Sequence, residues 1–344
     1  MKSRSKLAAL AVSLSIIATS GVAAAEERSP LVKQIKDRGE LLCPAHNGNN
    51  MGFMEVDSAG NWKGLDIENW TAVAVAILGS SDKVKFVPMS WSQRWPSLNS
   101  GEVDLIVKTT DATMTRDTEL GYQFSVPYLF GAFQFLAHKG PTVAVDLAGG
   151  SICTSAGSNN VRYLTDFLTV KNIKAEILTY EKREEQRAAY SQGRCDANMG
   201  WGPSLAVART EQSNPDDHVV LPDVINVAPE VIVMRQGDDG FADVVNWTIQ
   251  ALLIAEDQGV TSANVDQMRK DPPNPVVSRL LGATEGIGAR LGLSDDWGYN
   301  VIKQVGNYGE IYERNFGNDS PYKLERGMNA LWKDGGVLVP MLLD

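Results

Sequence analysis

Short apolar stretches alternate with amphipathic stretches along most of this chain, and this alternation most constrains the fold. Residues 66–78 carry apolar side chains at helical spacing, and residues 84–89 and 103–107 are typical of strands. Repeated strand–helix alternation indicates an α/β fold with a mostly parallel sheet. The pattern stops at the Gly/Pro sequence 139–141 and then restarts, which indicates a second α/β unit.

The second unit ends before the loop-forming residues 236–240. We therefore predict a discontinuous first lobe, residues 26–138 and 236–344, with a second lobe, residues 139–235, inserted into it. Two chain crossings near 136–140 and 234–238 would make a hinge, so the cleft between the lobes is the expected ligand site.

The N-terminus is typical of a secretory signal peptide, predicted here as residues 1–25. Lys2, Arg4 and Lys6 form a basic region, residues 7–17 are apolar, and small residues precede a predicted cleavage after Ala25. An uncleaved membrane anchor is the alternative. No later run is long and apolar enough to span a bilayer, so a soluble, exported protein is expected.

Composition excludes several classes of partner and site. The chain has 42 acidic and 32 basic residues, a net charge of −10, and it becomes more acidic when the signal is removed. This charge argues against nucleic acid and anionic lipid as partners. The sequence has no CxxC, HExxH or histidine cluster, so it predicts neither a metal site nor a cofactor.

Three cysteines in an exported protein suggest one disulfide and one free thiol. Cys153 lies in a predicted strand and Cys195 just before another, and we predict that these two pair. Cys43 would then be a buried thiol. The alternative pairings stay open on spacing alone.

Residues 109–116 bring hydroxyls, an acid and an arginine together after the strand predicted at 103–107. Arg116 could bind a carboxylate bidentately, assisted by the hydroxyls of Thr109 and Thr110. Asp111 could bind a cation beside it, which would suit a zwitterion. Asp111 could instead cap a helix or pair with Arg116.

Six sequence blocks occur in the order that one protein family shows. They are GNWKGLD at 60–66, KVKFVP at 83–88, SGEVD at 100–104, NPDDHVVLP at 214–222, GVTSANV at 259–265 and KQVGNYGEI at 303–311. With them the chain resembles the periplasmic general L-amino acid-binding proteins of polar amino acid ABC transporters over its full length. The resemblance implies a two-lobed type II periplasmic binding protein, monomeric and without a cofactor, that closes on a small ligand and docks on a membrane permease.

The resemblance also implies a ligand site. Arg116 matches the arginine that holds the ligand α-carboxylate, and Trp91 falls near the aromatic residue that covers the ligand. Gly157, Ser158 and Asn159 match a turn at a helix start that completes the carboxylate contacts.

Departures from the family pattern leave the ligand open. Trp201 stands where the family has an Asp that binds the α-ammonium, and Asp111 replaces a Thr or Ser. Asp111 could therefore hold the ammonium, with Trp201 packing against it by cation–π attraction. Trp70 stands where relatives often carry a cysteine, which would leave Cys43 without its usual partner. An L-amino acid, a quaternary or cyclic ammonium compound and a ligand without an ammonium all remain open.

The function predicted from the sequence is a periplasmic solute-binding protein, not an enzyme, that delivers an amino acid or related small zwitterion or carboxylate to an ABC importer. One alternative is a dehydratase-like enzyme of the same fold with Asp111 as general acid. Another is a partner that presents bound ligand to a membrane sensor.

Overall fold

The computed structural model describes residues 28–46 and 49–344, so the predicted signal peptide and its cleavage site lie outside the described residues. The helices are α1 Pro30–Arg38, α2 Leu65–Leu78, α3 Arg94–Ser100, α4 Asn160–Val170, α5 Arg183–Ser191, α6 Gly202–Thr210, α7 Asp239–Asp257, α8 Val265–Lys270, α9 Pro275–Leu280, α10 Trp297–Val305 and α11 Tyr308–Asn315. Within the described ranges, no helix is both long and apolar enough to cross a membrane.

The strands form two main groups joined in one chain. They are β1 Leu41–His46, β2 Glu55–Val56, β3 Trp62–Lys63, β4 Val84–Met89, β5 Tyr122–Phe124, β6 Leu129–His138, β7 Ser151–Ser155, β8 Glu176–Tyr180, β9 Ala197–Trp201, β10 His218–Val220, β11 Asn226–Glu230 and β12 Val233–Arg235. The first unit contains β1 and β4, which pair in parallel, with α2 as their crossover. The second unit contains a six-stranded sheet of order β10-β6-β9-β7-β8, with β11 also on β6.

The second sheet is mixed. Its core strand β7 pairs in parallel with β8 and β9, and α4 and α5 provide the crossovers that such pairs need. Strand β6 pairs antiparallel with β9, β10 and β11. The predicted α/β alternation is therefore confirmed, with an antiparallel part that the pattern did not indicate.

The chain passes between the two units as two adjacent antiparallel segments. Strand β5 pairs with β12, and β6 pairs with β11. Between these pairs the Ser125 amide donates to the Ile232 carbonyl at 2.9 Å, and the Tyr128 amide donates to the Glu230 carbonyl at 3.0 Å. Strand β6 lies in the second sheet, so the pairing favours crossings near 125–128 and 231–232. The lobe boundaries at 138/139 and 235/236 stay predictions.

Helix α2 is the centre of the first unit. Eleven of its fourteen residues are buried, including Trp70, so it is covered on all sides rather than on one face. Helices α7 and α10 pack against it. Glycines mark both ends of the helix: Gly64 precedes it, and Gly79 ends it in the left-handed conformation with its amide bonded to the Val75 carbonyl.

The prediction of a regular strand at 103–107 is wrong. The segment is buried, but it has one isolated bridge, between Ile106 and Val233. The Asp104 amide donates to the Leu42 carbonyl at 2.9 Å, and the Asp104 carboxylate accepts from the Leu42 amide at 2.8 Å. Because the Asp104 carboxylate occupies the Leu42 amide, residues 103–107 do not continue a backbone hydrogen-bond ladder beside β1.

The predicted disulfide is confirmed. Cys153 in β7 is bonded to Cys195, with 5.7 Å between their Cα atoms and a sequence separation of 42. A bridge that closes a loop of this length typically stabilises a domain by about 2–4 kcal/mol. Cys43 is a buried free thiol, as predicted, and burial together with the nearby Asp104 charge raises its pKa.

Candidate ligand-binding site

Arg94 is held between two tryptophans at the start of α3. Its Cζ lies 5.0 Å from the Trp91 ring centroid and 4.5 Å from that of Trp95, and Nη1 donates to the Trp91 carbonyl at 2.7 Å. The residue is 1% exposed. Burial, with the neighbouring Arg116 charge, lowers its pKa to about 9, so it is still a cation at neutral pH. Its Nε has no partner in the described part of the chain.

A second buried cation lies beneath the same tryptophan. The Lys108 Nζ donates to the carbonyls of Met89 at 2.6 Å and Ala45 at 3.3 Å, which ties the ends of β4 and β1 together. It lies 5.4 Å from the Trp91 ring centroid. Burial lowers the pKa of this amine well below its ordinary value.

Asp111 and Arg116 form a buried ion pair. Arg116 Nη1 donates to Asp111 Oδ1 at 2.6 Å and to the Asp111 carbonyl at 2.5 Å. Asp111 Oδ2 accepts from Tyr163 Oη at 2.6 Å and from Asn159 Nδ2 at 3.0 Å, both from the second unit. Burial alone would raise the pKa of Asp111, but the Arg116 charge and these hydrogen bonds hold it below its ordinary value.

Among the alternatives left open by the sequence, the structure has the pairing of Asp111 with Arg116. The next helical turn is Thr115–Glu119, with Met114 at its N-cap position, so Asp111 caps no helix. The two units enclose a cavity between them, called here the central cavity, and Arg116 is not among the residues that line it. Its predicted contact with a ligand carboxylate stays a prediction.

The two threonines before Asp111 have different surroundings. Thr109 has a positive φ of 38°, its amide donates to Asp66 Oδ2 at 3.1 Å, and its Oγ1 is unpaired among the described residues. Thr110 Oγ1 donates to the Lys108 carbonyl at 2.8 Å. Thr109 lines the cavity and Thr110 does not.

Asp66 supports this loop from the first turn of α2. It is fully buried and accepts from Tyr128 Oη at 2.9 Å as well as from the Thr109 amide. Burial raises its pKa to about 7, although both hydrogen bonds and the Lys108 charge act in the opposite direction.

We expect Asp66 to make folding depend on pH. Between about pH 4 and pH 7 the folded protein keeps a proton on Asp66 that the unfolded chain releases, so the free energy of unfolding falls as pH rises. Asp66→Asn should remove this pH-dependent contribution to the free energy of unfolding, which is at most about 4 kcal/mol. Urea unfolding at pH 4.5 and at pH 7.5 measures the change. The exposed Asp319→Asn is the control, and an unchanged slope in Asp66→Asn would contradict the prediction.

Trp201 ends β9 inside the molecule. A Cβ built on Gly131 of β6 would lie 2.2 Å from its indole, so a glycine is required there. The Trp201 ring lies 5.6 Å from that of Phe53 in the first unit. Its Nε1 is buried and lacks a hydrogen-bond partner within the described ranges.

The turn at 157–159 precedes α4, as predicted. Ser158 Oγ donates to the Ser155 carbonyl at 3.0 Å and accepts from the Asn160 amide at the start of α4 at 3.3 Å. Asn159, at the N-cap position, makes no side-chain cap, and its amide group bonds to Asp111 instead. Gly157 has a φ of 66°, and a Cβ on it would lie 3.2 Å from the Ser92 amide nitrogen of the first unit. Glycine is therefore favoured there by both conformation and space.

Sequence reasoning missed Arg183 and Glu230. Arg183 begins α5, is partly buried, and has its Cζ 5.4 Å from the Trp91 ring centroid. Glu230 ends β11 and is 2% exposed, and burial with the Asp111 and Asp66 charges raises its pKa well above the ordinary value. Both follow or end a strand, the place where α/β proteins bind ligands, and this was the available signal.

These residues surround one cavity between the two units, the central cavity. It is lined by Trp91, Arg94, Thr109, Asp111, Phe133, Ser155, Ser158, Asn160, Arg183, Trp201 and Glu230. Five predicted site residues are in this set: Trp91, Thr109, Asp111, Ser158 and Trp201. The other four, Thr110, Arg116, Gly157 and Asn159, are outside it, although Arg116 and Asn159 bond to Asp111.

Residues 45–257 match the family model of bacterial extracellular solute-binding proteins, family 3. The chain belongs to this family. It is 39% identical over 338 residues to the general L-amino acid-binding periplasmic protein of Rhizobium johnstonii, covering 97% of this chain and 98% of that one. It is 34% identical to the glutamate/glutamine/aspartate/asparagine-binding protein of Rhodobacter capsulatus, covering 94% and 96%.

A solved structure gives the same result. The ABC transporter periplasmic binding protein from Brucella ovis with glutathione bound is 41% identical, with a TM-score of 0.86 over 90% of this chain and 98% of that one. The predicted family and the two-lobed α/β fold are confirmed, so this is a solute-binding protein, and its two units are the two lobes. These relatives are named as binding proteins rather than enzymes.

Proposed function

We propose that this family member binds an anionic amino acid or a related small zwitterion in the central cavity and delivers it to the permease of an ABC importer. The main support is a set of buried polar atoms on residues lining that cavity, unpaired within the described chain: Arg94 Nε, Thr109 Oγ1, Arg183 Nε, Trp201 Nε1 and Glu230 Oε2. Buried polar groups nearly always have partners. Five such atoms from both lobes around one cavity fit a site that a polar ligand completes.

The charge around the cavity supports an anion. Arg116 is neutralised by Asp111, whereas Arg94 and Arg183 belong to none of the ion pairs seen in the described chain. Burial, with the Asp111 and Asp66 charges, raises the pKa of Glu230 and so disfavours a negative charge there in the unliganded site. Buried arginines with unused donors are suited to a carboxylate, which accepts their hydrogen bonds in a fixed geometry.

Glu230 is the stronger candidate for the ligand ammonium. Both carboxylate oxygens of Asp111 already accept hydrogen bonds, from Arg116 on one side and from Tyr163 and Asn159 on the other. Glu230 Oε2 faces no partner among the described residues. A bound ammonium would favour the charged form of Glu230 and so compensate for its burial.

Contacts across the cleft support closure of the lobes around the ligand. Besides the contacts of Asp111, the Asn49 amide donates to Glu184 Oε1 at 2.6 Å, and Ser92 Oγ donates to Glu181 Oε2 at 3.3 Å. A ligand that contacts both lobes would favour this closed arrangement. In this proposal the protein is a periplasmic monomer released by cleavage after Ala25, and presentation of ligand to a membrane sensor would be an added role.

A thermal-shift screen of the mature protein would test the function. L-Glutamate, L-aspartate, L-glutamine, L-leucine, glycine betaine and succinate cover the ligand classes that the sequence left open. At 100 times its dissociation constant a ligand should raise the free energy of unfolding by about 2.7 kcal/mol. We expect the acidic amino acids to raise the melting temperature most. No shift with any amino acid would contradict the proposal.

A further inference from the structure

A second polar chamber adjoins the central cavity, between the second lobe and residues 50–51 of the first. It is lined by Asn50, Met51, Arg183, Gln186, Arg187, Asn198, Ser204, Leu205, Val207 and Ala208. Arg183 lines both spaces. The side chain that faces the central cavity is therefore also part of the second chamber.

The wall between the chambers is a row of hydrogen-bonded side chains. Ser155, which lines the central cavity, donates from Oγ to Gln186 Oε1 at 2.8 Å. Gln186 lines the second chamber, and its Nε2 donates to Asn198 Oδ1 at 2.5 Å. Because this row is internally satisfied, it leaves Arg183 as the group with unused donors along the boundary.

The second chamber also contains unpaired buried groups. Asn50 Nδ2 and Ser204 Oγ have no partner among the described residues, and their residues are 5% and 8% exposed. Arg187, the other cation on this wall, is paired with Glu211. The unused groups are the Asn50 amide, the Ser204 hydroxyl and the Arg183 guanidinium. All three can donate, so they suit a group that only accepts, such as a carboxylate.

We propose that the second chamber is a subsite for a second carboxylate, located at the far end of a ligand longer than one amino acid. Arg183 binds that carboxylate, with Asn50 and Ser204 as additional donors. The ligand class is then a small anionic peptide whose amino acid end occupies the central cavity. This inference rests on the proposed function, because it requires the central cavity to hold the amino acid end.

Isothermal titration calorimetry with three ligands tests the subsite. Glutathione has an amino acid end and a distant carboxylate, its glycine methyl ester keeps the length without that charge, and L-glutamate lacks the extension. We expect glutathione to bind at least about 10-fold more tightly than its glycine methyl ester, since a hydrogen bond to a charged group contributes a factor of about 10 to 100.

Two variants test whether the second chamber causes that difference in affinity. Arg183→Gln should weaken glutathione binding by about 10- to 100-fold, and it should weaken glutamate binding as well, because Arg183 also lines the central cavity. Ser204→Ala, which changes the second chamber alone, should weaken glutathione binding a few-fold and leave glutamate binding unchanged. The exposed neighbour Lys182→Gln removes a charge one residue away and should change neither affinity.

The outcomes separate the subsite from the function. If Ser204→Ala leaves glutathione binding unchanged or weakens glutamate as much as glutathione, or if the three ligands bind equally to the wild type, the second subsite is overturned and the amino acid site stands. If none of the three ligands binds the wild type, the proposed function fails with it. Circular dichroism of each variant shows whether it is folded, and Ser204→Ala decides the matter if Arg183→Gln is not.

Discussion

Asp111→Asn should lower the free energy of unfolding of the unliganded protein by about 3–5 kcal/mol. The substitution leaves the buried Arg116 guanidinium without its counter-charge, and removing one member of a buried ion pair costs far more than the pair contributes. It also weakens the acceptor of the hydrogen bonds from Tyr163 and Asn159, so the cross-cleft contact is lost with the charge. Urea unfolding without ligand measures the effect.

Two other acids serve as controls for Asp111→Asn. Glu119→Gln removes an exposed acid from the turn that carries Arg116 and should leave stability unchanged. Glu230→Gln should keep or raise the stability, because an amide avoids the charge that burial disfavours at this position, but it should weaken ligands that carry an ammonium. If Asp111→Asn lowers ligand affinity and leaves unliganded stability unchanged, then Asp111 is a direct ligand contact rather than the partner of Arg116.

Local sequence patterns predicted the regular elements well. The strand at 84–89 is found with its predicted bounds, and the helical spacing noted at 66–78 belongs to a helix that begins one residue earlier. Apolar periodicity and a glycine stop are properties of neighbouring residues, so they can be read from the chain alone. The segment at 103–107 has the composition of a strand, but a side chain–backbone hydrogen bond from distant β1 decides its structure.

Short strands were missed for a related reason. Strand β11 contains Pro229 and begins at an asparagine, both unfavourable in a central strand, yet it pairs with β6 over five residues. Its position against β6 is what makes it a strand. The location of the crossings between the lobes depends on the same pairing, which no pattern along the chain reveals.

Some residues of the candidate site could be predicted from the sequence, and others could not. Residues within one contiguous motif, such as Asp111 and Arg116, were found together, and their mutual pairing was among the alternatives. Arg183 and Glu230 come from distant elements, and apart from their places at strand ends nothing in their flanking sequence marks them. The lowered pKa of Arg183, the raised pKa of Glu230 and the unpaired polar atoms of both residues arise from burial. Burial is a property of the fold.

Arg94→Met should abolish most ligand binding while leaving the unliganded protein at least as stable as the wild type. Arg94 is buried between Trp91 and Trp95, lines the cavity, and forms no ion pair in the described structure. Losing its charged contact with a ligand carboxylate should weaken an acidic amino acid by about 100-fold, or roughly 3 kcal/mol. Calorimetric titration of L-glutamate measures this loss.

The stability of Arg94→Met separates a binding role from a structural one. The wild-type site keeps a desolvated cation that forms no ion pair in the described chain until ligand arrives, so methionine of similar length should relieve the desolvation cost and keep the packing between the indoles. The lost hydrogen bond to the Trp91 carbonyl costs about 1 kcal/mol. Arg162→Met, an exposed arginine on α4, is the matched control and should change neither quantity. A large fall in unliganded stability would mean that Arg94 holds the two tryptophans in place, and the carboxylate would then have to bind elsewhere.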